Sequence, residues 1–133
     1  MAKIKLELDG VYGGTLSLEV LDGSTGGELV VIDREGNKAR VSPDGRQMLR
    51  VAAMCSAFLA GTNQYPDLDE MVDGHWDRHP AVTGETILGA GTRRGEFVLS
   101  VDEKDGSPVA RICLSADQLQ QLAQALGAGG HDL

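Results

Sequence analysis

The densest grouping of chemically capable side chains is His75-Trp76-Asp77-Arg78-His79, which follows Asp67, Asp69, Glu70 and Asp73. Two histidines four residues apart share one face of a helix and can grip one metal ion, with Asp73 or Asp77 as a carboxylate ligand. Gly74 and Pro80 bracket the pair and oppose a helix there. No Glu follows His75, so the zinc-protease pattern is absent. Met71 and Val72 stand where a calcium loop needs an oxygen ligand and a glycine. The plainer reading is a solvated acidic loop, with no resident cofactor expected. Trp76 is the single tryptophan. It can fold back on the core, or it can anchor a partner, because tryptophan is enriched among the residues that dominate interfaces.

The other candidates are weaker. Gly89-Ala90-Gly91-Thr92-Arg93-Arg94 could hold an anion on backbone amides and two guanidinium groups. A glycine-rich hairpin loop explains the same residues. No phosphate-loop or dinucleotide-binding glycine pattern occurs, and no serine sits in a nucleophile elbow. The three histidines, His75, His79 and His131, suit a Ser-His-Asp arrangement poorly. Cys55 and Cys113 lie in apolar runs and read as small buried thiols.

These residues must be positioned by one domain, since the chain has 133 residues. Hydrophobic residues make up 41 %, which suits a globular core. The net charge is −8. Residues 62–80 hold five acids against one base, whereas residues 38–61 hold four bases against one acid. An acidic balance opposes general nucleic-acid binding and suits docking on a basic partner. No apolar run approaches the ~20 residues that span a bilayer, and the first nine residues alternate charged with apolar. The expectation is a cytoplasmic protein without a membrane partner.

Alternation predicts strands at Ile4-Leu6-Leu8, Leu16-Leu18-Val20 and Leu29 to Ile32, with a hairpin turn at residues 33–37 into Lys38 to Val41. A helix over about 43–60 follows, started by Ser42-Pro43 or slipping to about residue 45, and ended by Gly61. Its stripe is Met48, Val51, Ala52, Cys55, Phe58 and Leu59. Residues 62–80 show no period and predict a long loop. Strands follow at Val82 to Leu88, broken by Gly89-Ala90-Gly91, then at Phe97 to Val101 and Pro108 to Leu114. Ser115 and Gln118 form a capping box for a helix over 115–126, stopped by Gly127. Residues 128–133 read as a frayed tail.

The fold class is therefore α+β: antiparallel sheet or sheets from two tandem hairpin-plus-helix units. Gly27-Glu28-Leu29-Val30, Ala39-Arg40-Val41 and Ser42-Pro43-Asp44 are echoed by Gly95-Glu96-Phe97-Val98, Ala110-Arg111-Ile112 and Ser115-Ala116-Asp117. An internal duplication of 11–60 and 82–126, joined by acidic loop 62–80, would explain the echo, as would shared turn and cap chemistry. The run Arg93 to Asp102, then Ala110 to Leu119, resembles the closing strands and helix of Whirly-like single-strand-binding proteins and transcriptional coactivators. The resemblance covers about a quarter of the chain. It implies repeated four-strand-plus-helix units that bind single-stranded nucleic acid across their sheets. A basic, aromatic sheet face is not matched, since the aromatics are Tyr12, Phe58, Tyr65, Trp76 and Phe97.

Three functions follow. The first is a non-enzymatic binding, inhibitory or regulatory protein with a basic protein partner, contacted by Asp67, Asp69, Glu70, Asp73, Trp76 and Asp77. The second is single-strand binding through Arg40, Arg93, Arg94 and Arg111. The third is a metal-dependent activity at His75 and His79.

Overall fold

The computed structural model describes residues 2–21, 26–61, 69–76, 82–93, 96–105 and 107–130. Its elements run β1 (Ala2–Asp9), β2 (Thr15–Leu21), β3 (Gly27–Ile32), β4 (Lys38–Val41), α1 (Gly45–Leu59), β5 (Asp69–Trp76), β6 (Val82–Arg93), β7 (Glu96–Glu103), β8 (Pro108–Leu114) and α2 (Ala116–Gly130). Four strands and a helix thus occur twice in the same order. The strands pair antiparallel in chain order, β1 to β8.

Alternation divides each strand between two faces. Leu8, Leu16, Val31 and Ala39 form one cross-strand row, and Leu6, Leu18, Leu29 and Val41 form the next. In the second half the rows are Leu88, Val101 and Ala110, then Leu99 and Ile112. These side chains are buried, apart from half-buried Leu6, and share one core with both helices. The join between halves is narrow: β4 meets β5 over Ala39–Trp76, Arg40–His75 and Val41–Gly74. The far end of the second half returns to the first. The Val11 amide donates to the Cys113 carbonyl at 2.9 Å.

Helix α1 starts at Asp44 rather than Ser42. Asp44 Oδ1 accepts from the Gln47 amide at 2.8 Å, and Gln47 Oε1 accepts from the Asp44 amide at 2.8 Å. Pro43 lies just outside the helix, so the next residue with a carboxylate serves as cap. Met48, Val51, Ala52 and Cys55 are buried, and Phe58 meets Phe97 edge-to-face at 6.3 Å. Burial disfavours the thiolate and pushes the Cys55 thiol up from 9.0 to about 12. In α2, Ser115 and Gln118 form the expected reciprocal cap. The helix then runs through Gly127 to Gly130 instead of stopping at 126. A glycine costs a helix only about 1 kcal/mol. The buried stripe of Leu119, Leu122, Ala123 and Leu126 outweighs that.

Two loop expectations need correction. Residues 69–76 of the acidic segment form β5, paired on one side with β4 and on the other with β6. The ladder with β6 runs the whole length of β5 and that with β4 covers residues 74–76, taking up backbone groups that local polarity had suggested would stay in water. Likewise Gly89-Ala90-Gly91 does not break its strand. Gly89, Ala90 and Gly91 pair with Ser100, Leu99 and Val98, so β7 holds β6 extended through Arg93. A strand backbone does not close around an anion as a glycine loop does, so the anion cradle over 89–94 is lost.

Candidate functional site

The feature with the shape of a binding site is a cleft of about 560 Å³ on the helix-free face. Its walls come from three places far apart in sequence. Tyr12 and Gly13 belong to the β1–β2 turn; Asp33, Arg34 and Glu35 belong to the β3–β4 turn; Glu96, Arg111 and Cys113 lie on β7 and β8. Glycines make the first turn possible. Gly13 and Gly14 adopt φ of +103° and +81°, which lets the chain double back between β1 and β2. A side chain on Gly14 would place its Cβ 2.5 Å from the Ile32 carbonyl oxygen.

The second turn is held by one carboxylate. Asp33 Oδ1 accepts from the Glu35 and Asn37 amides at 2.9 Å each, and Asp33 Oδ2 accepts from Asn37 Nδ2 at 2.9 Å. This side-chain mimic of a backbone turn leaves Arg34 and Glu35 exposed at the tip. The first turn is tied to the far wall by the Tyr12 hydroxyl, which donates to Glu96 Oε1 at 2.6 Å. From the lining residue Arg111 a polar chain runs along β7 and β8. Arg111 Nε donates to Ser100 Oγ at 3.0 Å, and Ser100 Oγ donates to Asp102 Oδ1 at 2.6 Å. Arg111 Nη2 lies 3.8 Å from the same carboxylate oxygen.

The rim has an apolar component. Val11 and Tyr12 retain 46 % and 58 % of their surface, making them the exposed large hydrophobic residues among those described. An exposed aromatic beside mixed charges is the surface composition of a protein contact. Tyr12 with Glu96, and Arg111 with Ser100 and Asp102, hold each other in place.

The residues singled out from sequence do not converge there. Asp69, Glu70, Asp73, His75 and Trp76 lie along β5, within the sheet rather than on a loop. Trp76 pairs in register with Ala39 and Val82, and His75 with Arg40 and Thr83. His75 lies on an extended strand rather than a helix. Asp67, Asp77 and His79 lie outside the described residues. Among the described residues no three His, Cys, Asp or Glu side chains gather as metal ligands.

Arg40 and Arg111 lie on different strands, β4 and β8. Arg40, on the outer face of β4, sits 3.3 Å from Glu28 Oε1, and both side chains are over two-fifths exposed. Such a pair contributes little to stability. Arg93 pairs in register with Glu96 at the end of β6, and Arg94 lies outside the described residues. Arg111 lines the cleft.

Sequence reasoning missed Val11, Tyr12, Arg34, Glu35 and Glu96 as site residues. A signal was present in Gly10-Val11-Tyr12-Gly13-Gly14, where a glycine-bracketed turn carries two large apolar residues that no strand can bury. Among the described residues, no helix is long and apolar enough to cross a membrane. No protein-family model matches the chain, and no curated protein matches it in sequence.

Proposed function

We propose that the chain is a non-enzymatic binding protein that takes a protein partner at this cleft. The observation that carries the reading is the Val11-Tyr12 turn, an exposed apolar pair set against a rigid polar wall. Tyrosine offers a large contact area with few torsions to freeze, and the mixed charges of Arg34, Glu35, Glu96 and Arg111 supply a polar rim. The net charge of −8 favours a basic partner surface. Inhibition or regulation of that partner is the mode of action a small domain without its own chemistry would have.

The test is capture from native extract with wild type and with a Val11→Ser/Tyr12→Ala double variant. A stoichiometric protein partner retained by wild type should bind the variant at least about 30-fold more weakly, the loss of one hot-spot residue. A partner held equally by both would refute the cleft as the contact.

A second reading, single-strand binding, is supported by the twofold succession of four strands and a helix, the unit that the Whirly-like resemblance implies. Against it, Arg40 and Arg111 already face carboxylates. Fluorescence anisotropy with a mixed-sequence oligonucleotide at low salt decides. Binding that weakens steeply with salt and with Arg40→Gln/Arg111→Gln would support it. No binding would end it.

A further inference from the structure

We propose that β1 is a homodimerisation seam, at which two copies of this chain join their sheets edge to edge about a two-fold axis at Leu6. Among the described strands, β1 stands first in the order and has β2 as its neighbour on one side only. An edge strand of eight residues presents backbone donors and acceptors that template another strand, and proteins usually blunt such an edge. Here no proline does so, and the register shift of β1 is confined to the Ala2/Ile4 end.

The backbone indicates which groups are presented. At the end of β1 the Gly10 amide donates to Gly14 at 3.0 Å, toward the β2 side. The Asp9 carbonyl turns the other way and accepts from Gln118 Nε2 at 2.6 Å. Antiparallel ladders alternate inward and outward pairs, so Glu7 and Lys5 also turn their peptide groups away from β2. A second copy running antiparallel with Leu6 opposite Leu6 brings Lys5 against Glu7 of the other copy, twice by symmetry, as hydrogen-bonded pairs.

The side chains select the same register. Lys5 and Glu7 are exposed on the outer face, while Ile4 and Leu6 are half-buried against the core and Leu8 is buried. Centring on Leu6 sets each Lys5 against a Glu7 and each Ile4 against a Leu8. Centring on Lys5 would oppose two lysines and centring on Glu7 two glutamates, while Gln118 on the Asp9 carbonyl limits the seam to Ile4 to Leu8. Like charges directly opposite are destabilising. Within its own chain Lys5 faces Glu19, so in the dimer its ammonium would lie between two acids. The contact is isologous and self-limiting, since it consumes the β1 edge of both copies.

Sedimentation or light scattering across a dilution series tests this. Wild type at roughly 100 µM should show twice the 14.0 kDa chain mass and should fall to one chain mass on dilution, as a small interface predicts. Glu7 faces Ser17 across its own ladder, so Glu7→Lys leaves the internal charge pairs untouched. That variant should weaken association roughly tenfold by opposing two lysine pairs, and adding Lys5→Glu together with Glu19→Lys, which keeps the internal pair opposite in charge, should restore it. Amide exchange provides a second measurement: the Lys5 and Glu7 amides should become protected as concentration rises. Wild type that remains at one chain mass overturns the proposal. So does a folded Glu7→Lys variant that associates like wild type, or a triple variant that gains nothing over the single.

Discussion

Replacing Gly14 by alanine should cost much more stability than the same change at Gly36, although both glycines have positive φ. The two positions share a conformational term. Gly14 has φ +81° and Gly36 has φ +89°, and an L-residue in this region is strained by roughly 1–2 kcal/mol. They differ in space. At Gly36 an added Cβ meets nothing within 4 Å. At Gly14 it would stand 2.5 Å from the Ile32 carbonyl oxygen and 3.2 Å from Asp33 Cα and carbonyl carbon, all backbone atoms. Reaching ordinary contact requires the β1–β2 turn and the β3 end to separate by roughly 1 Å, and overpacking of this kind costs about 1–3 kcal/mol. Gly36→Ala should therefore cost about 1–2 kcal/mol and Gly14→Ala about 2–5 kcal/mol. Urea unfolding of the three proteins, with midpoints compared at a shared slope, reads the difference. The turn displacement should also shift the Tyr12 hydroxyl away from Glu96, visible as a changed Tyr12 ring environment by NMR. Equal losses at the two positions would refute the steric argument and leave only backbone strain.

Two further outcomes follow from the core and the caps. The Cys55 thiol, pushed up to about 12, remains neutral in the fold while the unfolded chain ionises at its ordinary 9.0. The unfolded state then binds fewer protons, so stability should fall as pH rises through that window, by up to about 1.4 kcal/mol per pH unit. Cys55→Ala should flatten the slope, and an unchanged slope would remove Cys55 as its cause. Asp44→Ala removes the acceptor for the Gln47 amide and half of the capping box, which should cost about 1 kcal/mol in the same urea assay. A loss below a few tenths would mean that water replaces the cap freely.

Much of the architecture is legible locally because its signals are local. Period-two alternation at Ile4-Leu6-Leu8 and Leu16-Leu18-Val20 reports which face meets the core, and the structure buries Leu8, Leu16, Leu18 and Val20 and half-buries Ile4 and Leu6. The reciprocal bonds of Ser115 and Gln118 need only a spacing of three, so that helix start is readable from four residues. The ending is less so, since the helix continues past Gly127 and a mid-helix glycine carries a small penalty that packing elsewhere on α2 overcomes. Strand β5 shows the limit. Asp69, Asp73, Gly74 and His75 give no period, and they are extended because β6 pairs with all four and β4 with Gly74 and His75.

What the amino-acid order determined alone was the α+β class, the positions of most strands, the second helix's start and the acidic balance. The tertiary structure decided where recognition can occur. Tyr12, Arg34 and Arg111 are separated by most of the chain, and their common cleft exists because the far sheet half folds back until Val11 bonds Cys113. No local pattern encodes that approach, because it depends on how two twisted halves close over one shared core.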